Sequence, residues 1–145
     1  MPGIVPLREY VAAGDGAAIM LLEIRAYSQG CLAEFVALAR CADGRARESA
    51  RTPPEMSVVI AGETMSGGDV SADGQRAVHR LDPPPEVTER LVRHTVLLWI
   101  TPLPPVEPSA VRLDWPALGI HDASTVLDGQ AIRQAAWDSF PLLPA

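Results

Sequence analysis

Short apolar segments that alternate with a period of two, each cut off by a turn, constrain this chain more than any other feature. The strongest is Arg93 to Thr101, RHTVLLWIT, which reads as a central strand because most of its residues can be buried. Val111, Leu113 and Trp115 alternate with Arg112 and Asp114, the pattern of a strand with one face in the core and one in water. Ala17 to Tyr27, AAIMLLEIRAY, is apolar on both parities until Glu23 and Arg25. With Ala18, Met20, Leu22, Ile24 and Ala26 on its other parity, it predicts a strand fully buried on that face and turning polar on the opposite one. Ser28-Gln29-Gly30 has hairpin length, and Leu32 to Arg40 supplies the partner strand, with Phe35 and three alanines on one face. A helix competes for CLAEFVALARC, since alanine and leucine favour it. The adjacent turn and the preceding strand favour the hairpin.

Weaker signals fill in the rest. Met56 to Ala61 is a short strand, and Ala77 to Leu81 a short edge strand that DPPPE terminates, because proline cannot donate to a ladder. Ala123 to Leu127 is one more. Cys41 to Glu55, polar and ending near Pro53-Pro54, predicts an exposed, mobile loop, as does the Gly/Ser/Asp-rich segment 62–75. Glu86 and Glu89, after three prolines, suit the opening of a helical turn. Near the end the period changes: Asp128 suits an N-cap, and Ile132, Ala135, Ala136 and Phe140 fall at helical spacing with Trp137 beside them and Gln130 and Arg133 outside. The expected fold is mainly β, an antiparallel β-sandwich of about seven to eight short strands with one C-terminal α-helix, in one domain spanning 1–145. A sheet-on-helix α+β arrangement is the alternative.

Composition narrows the function classes. Hydrophobic residues make up 48% and charged residues 21%, which suits a globular chain with a sizeable core. A net charge of -6 argues against a nucleic-acid or anionic-membrane partner. The 12 cations are all arginines, so lysine Schiff-base chemistry and a phosphate-loop lysine are excluded. MPGIVPLREYV lacks the basic-then-apolar order of a secretory leader, and no apolar run approaches the 18 or so residues of a membrane span. The expected location is cytoplasmic. Cys31 and Cys41 bracket one predicted strand, which would hold them roughly 33 Å apart and leave both as free thiols.

No motif assembles a chemistry. Asp69 to Gly74, DVSADG, starts like a calcium loop, but Arg80 stands where the bidentate glutamate belongs. His79, His94 and His121 show no zinc spacing, and His94 is expected at a strand rim. His121-Asp122 lacks an evident nucleophile; Asp114 and Asp122 flank WPALGI and would approach each other if that segment is a tight connection, although solvated strand-end aspartates are the commoner arrangement. No serine sits in a nucleophile elbow, and no nucleotide-binding glycine motif appears. No cofactor is expected. Pro102 to Pro105, PLPP, is a P-x-x-P without a flanking arginine, and it reads as a stiff connection between two sheets with Trp99 and Trp115 buried on either side.

LWITPLPP, the strand ending in DWPALGI, LDGQAIRQAAWDS with its closing proline and the earlier IRAYSQG hairpin resemble a family of uncharacterised small actinobacterial proteins with W-P-L-P-P-like and E-W-P-x-x-G-I segments. The resemblance spans nearly the whole chain except 41–90. It implies a β-sandwich-like domain and no reaction. The function expected from these residues is a non-enzymatic interaction module, self-associating or bound to a protein partner through apolar sheet faces. Trp99, Leu97, Arg45, Arg47 and Arg51 are its expected contact residues. The rival is a small-ligand-binding or hydrolytic sandwich with a site in the loops around Asp69, Asp73, His121 and Asp122.

Overall fold

Each strong alternation in the sequence becomes a strand in the computed structural model, which describes residues 3–14 and 16–138. The chain runs β1 (Gly3–Gly14), β2 (Ala17–Ala26), β3 (Cys31–Arg40), α1 (Gly44–Ala50), β4 (Glu55–Ile60), β5 (Glu63–Ser66), β6 (Ala77–Leu81), β7 (Glu86–Val87), β8 (Leu91–Thr101), β9 (Ser109–Trp115), a single 3-10 turn (Pro116–Leu118), β10 (Ile120–Leu127) and α2 (Gly129–Asp138). The first sheet, A, has the order β1-β2-β3-β8-β6 with β7 also paired to β8, and the second sheet, B, has the order β10-β9-β4-β5. All pairings are antiparallel. The sandwich architecture is therefore the expected one, with ten strands in place of seven or eight.

The interior is one apolar cluster drawn from both sheets, with Phe35, Leu98 and Ile100 from sheet A and Val58, Leu113 and Trp115 from sheet B. β3 follows its predicted pattern: Ala33, Phe35, Ala37 and Ala39 all point inward. β2 departs from its pattern. Ala17, Ile19 and Leu21 are buried before Glu23, whereas Ile24 and Ala26 are buried after it. A register shift between Leu21 and Glu23 explains the change, because one extra residue on β2 flips every later side chain to the other face. Ala18, Met20 and Leu22 consequently sit on the outer side and not with Ile24, as period two alone had predicted.

Several weak segments are ordered after all. The expected loop 41–55 contains α1, whose N-cap Asp43 accepts from the Ala46 N–H at 2.8 Å. A seven-residue helix is below the length at which propensity signals itself; its Ala50 is buried by tertiary packing. The expected loop 62–75 begins with β5, joined to β4 through Ala61 and Gly62 at φ 51° and 80°. Two consecutive positive φ values make a two-residue hairpin turn matched to strand twist. Glu86–Val87 pairs with β8 and opens no helical turn. β1, which the alternation did not announce, tolerates Pro6 because it is an edge strand.

The two helices close opposite ends of the sandwich. α1 packs where β3 ends and β8 begins, with Cys41 N–H donating to the Arg90 carbonyl at 2.7 Å. α2 starts from Asp128, whose carboxylate accepts from the Ala131 N–H at 3.0 Å, and buries Ile132 and Ala136. Phe140 lies outside the described residues. The segment after Thr101 crosses from sheet A to sheet B, as the proline spacing suggests. It is no displayed ligand: Pro104 is buried, and Arg133 of α2 donates to the carbonyls of Pro104 at 2.8 Å and Leu103 at 3.1 Å. Gly129 lies so close to the Pro105 carbonyl that a Cβ would clash with it. Trp115 is fully buried on the far side, but Trp99 is only half-buried, on the outer face of sheet A.

Candidate interaction face

The feature that separates this sandwich from an ordinary solvated one is the outer face of sheet A. Strand register places its residues in rows across the sheet. One row runs Ile4, Arg25, Leu32, Trp99, His79, and the next runs Pro6, Glu23, Glu34, Leu97, Leu81. A third carries Tyr10, Met20, Val36 and Thr95, and a fourth Ala13, Ala18, Leu38 and Arg93, followed at the edge by Arg40 beside Leu91. An antiparallel sheet with one solvated face shows polar residues there. Here leucine, methionine, valine and tryptophan occupy the middle. Neither helix covers them. The large exposed apolar residues Ile4, Tyr10 and Leu81 continue the surface to its rim.

Local packing holds this face in shape. The Trp99 ring stands edge-on to Tyr27 with centroids 5.7 Å apart. It also lies over Gly30, where a Cβ would come within 2.9 Å of Trp99 Cζ2. Thr101 Oγ1 donates to the Gln29 carbonyl at 2.7 Å, pinning the hairpin against the end of β8. Within the first two rows sits one ionic group: Arg25 donates to Glu23 at 2.9 Å and to Glu34 at 3.1 Å. The hydrogen bond to Glu23 is the main cause that raises the Arg25 guanidinium above its ordinary value, with the charges of both glutamates adding to it.

The expected contact residues divide. Trp99 and Leu97 lie on this face, side by side with Leu32 and Glu34. Arg45, Arg47 and Arg51 do not, because α1 and the residue that ends it carry them to the end of the sandwich. Arg47 is committed to the Glu89 carbonyl, Arg51 approaches Glu48 at 3.8 Å, and Arg45 is exposed.

The loop residues of the rival reading are satisfied locally. Asp69 accepts from the Ser66 N–H at 2.8 Å, and Asp73 accepts from the Ser71 hydroxyl and, at 2.9 Å, from the Gln75 N–H. The Ser71 hydroxyl is the main cause that holds the Asp73 carboxyl below the ordinary carboxylate range. His121 and Asp122 are exposed where β10 shifts register, with Asp122 at φ 54° and its N–H donating to Asp114 Oδ1 at 2.8 Å. Asp114 and Asp122 do approach each other across this tight connection, and the contact serves the turn of backbone.

A groove of about 440 Å³ opens where β6 meets the end of sheet B, with Glu55, Ser57, Ser66, Arg80, Arg112 and Asp114 in its lining. Arg80 is already held, donating to Asp82 at 2.7 and 2.9 Å and to the Pro54 carbonyl at 2.7 Å. No histidine lines the groove to activate either serine. Its arginines face carboxylates of opposite sign.

His94 is not at a rim. It is buried on the inner face of β8, donates from Nε2 to the Ala50 carbonyl at 2.6 Å and stands edge-on to Trp115 at 5.8 Å. Trp115 Nε1 donates in turn to the Thr52 carbonyl at 2.8 Å, so these two rings fasten α1 and its following turn to both sheets. Cys31 and Cys41 are buried free thiols, and burial pushes the Cys31 thiol up to about 12. Among the described residues, no group of three or more His, Cys, Asp or Glu side chains is placed to hold a metal ion. None of their helices is long and apolar enough to cross a membrane. No family model, curated protein or solved structure matches the chain.

Proposed function

We propose that the protein is a non-enzymatic interaction module that associates with itself through the outer face of sheet A. One observation carries this: an outer face of β1, β2, β3, β8 and β6 rich in large apolar side chains, interrupted in its middle by the Arg25–Glu23–Glu34 group, with α1 and α2 both packed elsewhere. Five strands at about 4.8 Å spacing and nine residues at about 3.3 Å give a face of roughly 700 Å². A standard stable interface takes about 800 Å² from each partner, so the face is the right size to be one. Large apolar side chains gathered on one exposed face mark a contact surface.

The test is light scattering on the purified chain at tens of micromolar, beside Leu97→Asp. The wild type is expected to be larger than a monomer and Leu97→Asp to be monomeric with an unchanged far-ultraviolet circular dichroism spectrum. A strictly monomeric wild type overturns the proposal.

A further inference from the structure

We infer that the second copy packs face to face about a twofold axis lying across the strands, at the level of Met20, Val36 and Thr95; this rests on the outer face of sheet A being the self-association surface. The charges on the face select the arrangement. Arg25, Arg40 and Arg93 balance Glu23, Glu34 and Glu86, so the face is neutral on a molecule of net charge -6. A second copy therefore meets its least repulsive surface here.

A closed dimer uses the same patch twice, and a face-to-face sheet pair has two simple ways to do so. With the axis running along the strands, β3 lies over the β3 of the second copy. Each residue of its outer row then faces itself, and Glu34 stands against the second copy's Glu34. Two like charges meeting in a water-poor contact count strongly against that arrangement. With the axis running across the strands, each strand lies over its own counterpart in the reverse direction. Glu34 then comes over Leu38 of the second copy, with that copy's Arg93 beside it on β8 and its Arg40 two residues further along β3. Among the described residues, neither Arg40 nor Arg93 makes an ion pair within its own chain. The crossing gives both a carboxylate.

The apolar relief agrees. Rotation about this axis brings the end of β8 carrying Trp99 onto the end carrying Leu91. There the small side chains of Ala13 and Ala18 leave a depression of about 350 Å³ between Leu38, Arg40 and Leu91. A tryptophan set against a leucine and an arginine in such a hollow has the composition of an interface anchor.

The test is the sign of a charge-removing substitution, read as the dimer dissociation constant by sedimentation equilibrium. Glu34→Gln keeps the shape, and Arg25 retains Glu23. With the axis across the strands, Glu34→Gln weakens the dimer about 10-fold. Arg93→Glu weakens it about 100-fold, because symmetry repeats each contact. With the axis along the strands, Glu34→Gln tightens the dimer and Arg93→Glu leaves it unchanged; that result overturns the inference and leaves self-association standing. A wild type that never dimerises overturns both. Thermal melts of each variant at concentrations where all are monomeric separate a loss of contact from a loss of folding.

Discussion

The two sheets are built alike on the inside and differently on the outside. Inward, both present fully buried apolar residues, Phe35 and Leu98 on sheet A and Val58 and Leu113 on sheet B. Outward, sheet B carries a polar row of Ser66, Ser57, Arg112 and Ser124 beside a row of Thr64, Val59, Ala110 and Val126, small or β-branched side chains and no large ring or leucine. At the same positions sheet A shows Met20, Leu32, Leu38, Leu97 and Trp99. Core formation requires the inner faces and is indifferent to the outer ones. An apolar outer face costs solubility without adding to the fold, so the larger side chains gathered on sheet A, leucines, methionine and tryptophan, point to a contact made by that sheet.

The comparison can be broken or sharpened by substitution. The largest effect is expected inside, where the sheets are equivalent. Trp115→Ala removes the largest buried ring together with its bond to Thr52, and should cost about 3–5 kcal/mol in denaturant unfolding. Trp115→Phe, which loses mainly the hydrogen bond, should cost clearly less; equal losses would mean that the ring's volume matters little.

Next comes sheet A's outer face. Leu32→Thr together with Leu97→Thr makes it resemble sheet B. Association should weaken by about 2–4 kcal/mol in sedimentation while the unfolding free energy of the monomer moves by less than about 1 kcal/mol. A large fall in monomer stability with intact association would reverse the assignment of inner and outer roles.

The Cys31 thiol gives a pH-dependent contrast. Its folded value lies near 12, above an ordinary value of 9.0, because burial disfavours the thiolate. Below about pH 9 both folded and unfolded chains keep the proton and stability is unaffected. Above it the unfolded chain releases the proton first, so stability falls by up to about 1.4 kcal/mol per pH unit until the folded thiol also titrates. Cys31→Ala should flatten that slope in chemical denaturation between pH 9 and 11, and an unchanged slope would assign it to other groups.

The smallest effect is expected on sheet B's outer face. Arg112 approaches Asp122 at 3.9 Å with both side chains largely exposed. Arg112→Ala should change stability by no more than about 0.5 kcal/mol and leave association untouched. A drop in association would place sheet B in the contact as well.

Much of this division was legible along the chain. The strands β3, β6, β8 and β9, the hairpin at Ser28 to Gly30 and the Asp128 cap followed from alternation and turn chemistry. Apolar residues on both parities of Arg93 to Thr101 pointed to a surface beyond the core. The segments missed were those with the weakest local signals: a seven-residue helix, a four-residue strand, a two-residue strand and the twelve-residue edge strand β1, whose alternation is broken by Pro6 and two register shifts. Each is stabilised by what it packs on or pairs with. His94 was misjudged because its partners, Ala50 and Trp115, lie 44 and 21 positions away by their residue numbers.

By itself the sequence determined a mainly β, antiparallel sandwich with a C-terminal helix and a proline crossover, because side-chain period, turn residues and proline's missing donor act over a few residues. Only the tertiary structure decided which parity of each strand faces inward. The bulge after Leu21 turned Ile24 and Ala26 inward while Met20 stayed outward, and register then set Met20 on one face with Leu32, Leu97 and Trp99. That surface exists only because residues distant in the chain are hydrogen-bonded side by side. Local pattern can show that a strand has two apolar faces; where the second one gathers depends on pairing.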